Sequence, residues 1–104
     1  MNKRIDYVFS ALADESRRQI LTMLTDKEMH VNSIASNFKF SRPAVSKHLR
    51  ILTESKLVKA RKEGRERYYK LNPEPLNEVY KWLERYNKFW DDKLNSLKNF
   101  VENN

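Results

Sequence analysis

Residues 41–52 decide the fold, and they read Ser-Arg-Pro-Ala-Val-Ser-Lys-His-Leu-Arg-Ile-Leu. Ser41 is of a residue type that caps helix N-termini, and Pro43 falls in the first helical turn, where a missing N–H costs nothing. We therefore predict a helix from Arg42 to about Ser55. Helical spacing gathers its aliphatic side chains on one inward face, namely Val45, Leu49 and Leu52.

The opposite face of this helix is polar and basic. It gathers three cations and two hydroxyls, namely Arg42, Ser46, Lys47, Arg50 and Thr53. Such side chains reach base edges and phosphates when a helix lies in a DNA groove. We expect Arg42 to contact guanine, since its planar fork can donate to O6 and N7 together, and Lys47 and Arg50 to contact phosphates. A basic helical face can also simply be solvated, so its neighbours in the chain matter.

The segments before this helix predict a helix-turn-helix. Four apolar residues form the stripe of a first helix, at about residues 4–13, namely Ile5, Val8, Phe9 and Leu12. Asp14 has the character of an N-cap for a second helix. A short third helix is expected from about Asn32, which is also a plausible cap, and the turn Lys39-Phe40 then leads to Ser41. Two helices joined by a short turn, the second with a basic outer face, are typical of DNA-binding proteins.

A β-hairpin is predicted next, with strands at residues 57–63 and 66–71 and a two-residue turn at Gly64-Arg65. Glycine at the first turn position predicts type II′. This register sets two pairs of side chains on one face, Ala60 with Tyr69 and Val58 with Leu71.

The predicted hairpin is strongly basic. From Lys59 to Lys70 it carries six cations against two acids. We expect its tip, with Lys62, Arg65 and Arg67, to lie along a DNA backbone or to enter a neighbouring minor groove. A lysine-rich edge strand also prevents aggregation, and the two roles are compatible.

One long helix is predicted over residues 74–101, because Pro73 and Pro75 interrupt the strand pattern and an apolar stripe follows. This stripe is too long for one small core to bury, so we expect the last helix to form a dimer seam. With the first helix, whose part the family resemblance given below implies, the predicted interface residues are Ile5, Val8, Phe9, Leu12, Leu76, Val79, Tyr80, Leu83, Tyr86, Trp90, Leu94 and Leu97.

The composition narrows the class of protein. The chain has 104 residues, a formal net charge of +7 and no cysteine. Its length predicts a single domain over residues 1–104. The positive charge favours a polyanionic partner, nucleic acid before an anionic membrane surface. The lack of cysteine excludes disulfides and thiolate metal sites, and there is no apolar run of about 18 residues for a membrane span. We expect a cytoplasmic protein without a cofactor.

Three segments resemble the ArsR-type winged-helix repressors, in the order in which that family carries them. Residues 41–52 are similar to the family's recognition helix, residues 11–21 to its opening segment, and residues 64–71 to its wing. The resemblance implies a homodimeric bacterial or archaeal repressor that binds an inverted-repeat operator and dimerises through its first and last helices. It implies five residues at the DNA, namely Ser41, Arg42, Ser46, Lys47 and His48.

Two features depart from the pattern of that family. Many members sense metals through cysteines in the recognition helix or through histidine and acidic ligands on the last helix. Here the last helix offers Asp91 and Asp92 but no histidine, and we expect this pair to be solvated. Lys56 stands where the family usually has glycine at the helix end. A lysine forced into a left-handed cap would cost about 1 kcal/mol, unless the helix ends by another geometry.

Together these patterns predict a mainly α protein with a small β-hairpin, a winged helix-turn-helix with about five helices and a two-stranded wing. The expected function is sequence-specific regulation of transcription by a homodimeric repressor of double-stranded DNA, with a small-molecule or protein effector left open. Two other hypotheses are a metal-responsive repressor with non-thiolate ligands and a winged-helix protein-interaction module. An enzyme is disfavoured, since no nucleophile–base pair or phosphate loop is present. The predicted DNA-binding set is Ser41, Arg42, Pro43, Ser46, Lys47, His48, Arg50, Lys62, Arg65 and Arg67.

Overall fold

The computed structural model describes residues 3–103, which form six helices and one three-stranded antiparallel sheet. The predicted class, a mainly α winged helix-turn-helix, is confirmed, with one helix and one strand more than expected. The elements are α1 (Lys3–Leu12), α2 (Glu15–Met23), β1 (Met29–His30), α3 (Val31–Ala35), α4 (Arg42–Glu54), β2 (Val58–Glu63), β3 (Glu66–Leu71), α5 (Glu74–Glu84) and α6 (Asn87–Asn103).

Two of the predicted helix caps are confirmed. The carboxylate of Asp14 accepts a hydrogen bond from the backbone N–H of Arg17 at 3.1 Å at the start of α2. This bond holds the pKa of Asp14 below its usual value. The hydroxyl of Ser41 accepts from the backbone N–H of Ala44 at 3.4 Å at the start of α4. Both helices therefore begin where their capping residues predict.

The start of α3 corrects the prediction that Asn32 is its cap. The helix begins at Val31, and Nδ1 of His30 accepts from the backbone N–H of Asn32 at 3.0 Å. His30 also ends β1, which pairs with β3 by placing His30 opposite Tyr68. A strand of two residues is too short to leave an alternating pattern in the sequence.

The hairpin has the predicted register, since Ala60 pairs with Tyr69 and Val58 with Leu71. The sheet order is β1-β3-β2, so β3 is its central strand. Gly64 has a φ of 62°, and glycine takes this conformation without strain. Because Arg65 has no positive φ, the turn has the pattern of type II′.

The core lies beneath α4. Val45, Leu49 and Leu52 are at most 1% exposed and pack with residues of α1, α2, α3 and the base of the hairpin. Ile5 and Val8 are buried within the chain, at 7% and 0% exposure, and Val8 belongs to this core. α1 turns both residues toward the body of its own chain, and their part in a dimer interface stays a prediction.

The predicted long C-terminal helix is divided in two. The backbone N–H groups of Arg85 and Tyr86 bond three residues back, to Trp82 and Leu83, and α6 then starts at Asn87. Every residue of α6 is exposed. The radius of gyration is 18.2 Å, against about 13 Å for a compact chain of this length. The excess arises because α6 projects from the body.

α4 ends at Glu54, and Lys56, which follows the C-cap residue Ser55, takes the left-handed conformation with a φ of 68°. The N–H of Leu57 bonds to the carbonyl of Leu52 at 3.1 Å, and the N–H of Lys56 to that of Thr53 at 3.0 Å. This pair of bonds is a Schellman motif, which glycine favours at the position of Lys56. The side-chain amide of Asn72 donates to the carbonyl of Lys56 at 2.7 Å. Of the two helix ends that the sequence allows, Lys56 therefore adopts the strained one, the left-handed cap.

We predict that Lys56→Gly raises the free energy of unfolding by about 1 kcal/mol, because glycine has no Cβ to strain the left-handed backbone. Urea denaturation followed by circular dichroism would measure the change. Lys27→Gly is the matched control, since it replaces an exposed lysine with an ordinary φ and is expected to lower stability. Equal or lower stability of the Lys56 variant would contradict the strain argument.

Candidate DNA-binding surface

The outer face of α4 is fixed by the burial of its inner face. Arg42, Ser46 and Arg50 follow one another at intervals of four residues, so they project from one side of the helix. All three are exposed. The helix therefore presents two guanidinium groups and a hydroxyl along a continuous strip.

A groove of about 690 Å³ lies between this strip and the hairpin. Four arginines from the two elements line it: Arg42, Arg50, Arg65 and Arg67. Ser46 contributes its hydroxyl between the two arginines of α4. The structure thus brings together two segments that the sequence analysis treated separately, and it makes them opposite walls of one cationic groove.

The remaining residues of the predicted DNA-binding set lie outside the groove lining. Ser41, Pro43, Lys47 and Lys62 are all exposed. The hydroxyl of Ser41 is already used as the cap of α4. The side chain of His48 is 19% exposed, which makes it the least accessible member of the set. Any role for these residues at DNA remains a prediction.

The groove also holds residues that the sequence analysis missed, namely His30, Asn32, Glu54 and Glu66. His30 ends β1, and Asn32 lies in the first turn of α3 directly after it. The sequence pattern does not reveal this short strand. Because Nδ1 of His30 accepts from a backbone N–H, the neutral ring carries its proton on Nε2. Nε2 donates that proton to the carboxylate of Glu66. The histidine thereby restrains an acid that would otherwise oppose an anion in the groove.

Arg61 is held by acids on the other face of the hairpin. Its guanidinium lies 2.6 Å from a carboxylate oxygen of Glu28 and 2.8 Å from one of Glu63, and 4.7 Å above the ring of Tyr68. These hydrogen bonds raise the pKa of Arg61 and lower that of Glu28. The basic charge of the hairpin that is available to an anionic partner is therefore smaller than its cation count suggests.

The predicted dimer residues of the C-terminal helices are mostly exposed. Leu76 and Val79 are partly buried against the core, whereas Tyr80, Leu83, Tyr86, Trp90, Leu94 and Leu97 are 43–63% exposed. On α6, three further apolar residues widen the stripe. We call the whole set the α6 apolar surface: Phe89, Trp90, Leu94, Leu97, Phe100 and Val101.

Trp82 joins α5 to α1 and was missed by the sequence analysis. Its ring meets that of Phe9 edge-on at 5.4 Å and that of Tyr86 at 5.4 Å. Arg4 adds ion pairs to Glu74 at 3.5 Å and Glu78 at 3.4 Å. Phe9 and Leu12 are partly buried. The first helix and α5 thus form one layer within the chain.

The described residues form neither a metal-binding cluster nor a membrane-spanning helix. Within residues 3–103, no three or more histidine, aspartate or glutamate side chains are grouped so that they could hold a metal ion, and Asp91 and Asp92 are exposed. None of the helices in the described part of the chain is both long and apolar enough to cross a membrane.

The chain is similar in sequence to a known family and to several of its members. Residues 14–60 match the family described as bacterial regulatory protein, arsR family. The transcriptional repressor SdpR of Bacillus subtilis (strain 168) is 33% identical over 87 residues, which cover 84% of this chain and 97% of that relative. The arsenical resistance operon repressor of Staphylococcus aureus is 32% identical over 85 residues, which cover 82% of each chain.

A solved structure agrees with these relatives. The ArsR-like transcriptional regulator from Rhodococcus sp. RHA1 superposes with a TM-score of 0.72 at 37% identity, covering 94% of this chain and 92% of that one. The agreement extends beyond the helix-turn-helix to most of both chains. The chain therefore belongs to the arsR family of bacterial regulatory proteins and is a transcriptional regulator.

Proposed function

We propose that this regulator is a homodimeric repressor that binds an inverted-repeat operator, with α4 in the major groove of each half-site and the wing on the flanking backbone. The observation that carries the proposal is the groove between α4 and the hairpin, with arginines on both walls. The two relatives named as repressors support the direction of regulation.

The groove suits a sugar–phosphate strand. When α4 enters a major groove, the strand that borders it passes between the helix and the hairpin. Arg50 on one wall and Arg65 and Arg67 on the other then face phosphates from two sides. Arg42, near the N-terminus of α4, is placed to reach a guanine edge. The positive end of the α4 dipole, at its first turn, also favours a phosphate.

The α6 apolar surface supports the homodimer. Trp90, Leu94 and Leu97 are each more than half exposed, on a helix that packs little against its own chain. Monomeric proteins rarely leave so much contiguous apolar area in water. A second copy, related by a two-fold axis, would cover this surface and place the second α4 about 34 Å away, one DNA turn along the same face.

For base reading, Arg42→Ala is expected to weaken operator binding by about 1–3 kcal/mol and to relax selectivity at one base pair. The loss arises because a bidentate contact to guanine discriminates among bases. Binding would be measured by fluorescence anisotropy on the duplex that the wild type selects from random sequences and on its single-base variants. Lys47→Ala is the comparison variant, and it should lose the same binding free energy on all duplexes. A uniform loss for Arg42→Ala as well would remove this residue from base reading.

For the wing, Arg65→Ala should weaken binding to every duplex and make the log–log salt dependence shallower by about 1, as expected for one lost phosphate contact. Titrations at several salt concentrations give the slope. Arg61→Ala is the matched control, because this arginine of the same hairpin is bound to Glu28 and Glu63. An unchanged slope for the Arg65 variant would place the wing tip away from the backbone.

For the dimer, Leu83→Asp and Trp90→Ala should yield monomers in analytical ultracentrifugation, because each removes apolar contact from the seam. Both side chains are about half exposed in the single chain, at 47% and 57%, so circular dichroism should show a retained fold. Asp92→Ala, also on α6, is the control and should leave the dimer intact. Dimers of wild-type strength from both seam variants would refute the seam.

A further inference from the structure

Arg17 uses all three of its guanidinium nitrogens on different partners. From the first turns of α2, Nε donates to the carbonyl of Ala11 at 2.8 Å and Nη2 to that of Ser10 at 3.1 Å. Both carbonyls belong to α1. The third nitrogen, Nη1, lies 3.4 Å from Nδ1 of His48 on α4. One side chain therefore joins α1, α2 and the recognition helix.

This contact selects the tautomer of His48. A guanidinium has donors only, so an Nδ1 that faces it must offer its lone pair. The neutral imidazole then carries its proton on Nε2. Asp14 has a carboxylate oxygen 3.9 Å from Nδ1, beyond hydrogen-bond distance, and that oxygen already accepts from the N–H of Arg17. The arginine rather than the aspartate thus sets the proton position.

The ring of His48 is also held from a second side. Phe40, in the turn before α4, meets it edge-on at 5.6 Å, and Phe40 itself stacks on Phe38 at 4.8 Å. With Nδ1 turned toward Arg17, Nε2 is turned away from α2. His48 lies two helical turns after Ser41 on the same side of α4, in the middle of the recognition helix.

We propose that Arg17 is a positioning residue for DNA binding, which holds His48 so that its Nε2–H faces outward and donates to a DNA phosphate. The inference rests on the proposed function, since it assigns a role within the same DNA-binding surface. In the other tautomer, Nε2 would present a lone pair to the phosphate, and the hydrogen bond would be replaced by repulsion. Lysine cannot substitute, because it lacks the rigid fork that holds two carbonyls and the ring together.

The tautomer is tested first in the free protein. Long-range ¹H–¹⁵N spectra at pH 8, where free imidazole is neutral, distinguish the two tautomers of each ring. The chain has two histidines, and the spectrum of His48→Gln assigns the remaining one. The expected result is the Nε2–H form of His48 in the wild type and a mixture of both forms in Arg17→Lys. A predominant Nδ1–H form in the wild type would overturn the inference.

The role in binding is tested by a double-mutant cycle on the selected duplex. Arg17→Lys should weaken binding by up to about tenfold, because the ring of His48 loses its fixed orientation as well as its tautomer. An even mixture of tautomers alone would cost only about a factor of two. In the His48→Gln background the same change should have less than a twofold effect, because a glutamine amide donates without a tautomer. An equal loss in both backgrounds would show that Arg17 acts only through general stability, and would overturn the inference.

Arg18→Lys is the matched control for this cycle. Nη1 of Arg18 donates to the carbonyl of Leu12 at 2.8 Å, so this arginine also binds the end of α1, without a contact to His48 among those described. It should change neither the tautomer nor the affinity. A wild type that selects no duplex would overturn the proposed function itself, whereas a wild type that binds DNA with the Nδ1–H form would overturn only the role of Arg17.

Discussion

The burial of the inner face of α4 is the constraint on which the rest of the structure depends. Val45, Leu49 and Leu52 fill the centre of a small core, and truncating any of them would cost about 2–5 kcal/mol. A rotation of the helix by one residue would exchange these side chains for Arg42 or Arg50, and an unpaired buried charge costs more still. The polar strip of α4 is therefore held outward by the core and not by contacts of its own.

Electrostatic pairing decides which of the many cations remain available to a partner. In the hairpin, Arg61 forms ion pairs with Glu28 and Glu63. His30 is hydrogen-bonded to Glu66, the acid that faces the groove. The result is a basic groove in which the charges stand at defined places. A net charge of +7 favours binding to any polyanion. Arginines at fixed positions, in contrast, set the position and orientation of the protein along a duplex.

Local patterns in the sequence predict most of this fold, because caps, helical stripes and a glycine turn act over a few residues. Three single residues each locate the boundary of a helix or strand from the sequence, namely Asp14, Ser41 and Gly64. The remaining differences concern long-range packing. The two-residue β1 exists only because β3 lies beside it, and Ile5 is buried only because α1 turns toward the body. The groove is formed by two different elements, α4 and the hairpin. Each element could be predicted from its local pattern, but their packing side by side could not.

The position of α1 joins the two halves of the proposed function. Its inner face is buried in the core, and its outer side packs with α5 through Phe9 and Trp82. Its last carbonyls are held by Arg17 and Arg18 of α2, and Arg17 continues to His48 on α4. Arg17 is thus a single side chain through which the end of α1 is bonded to the recognition helix.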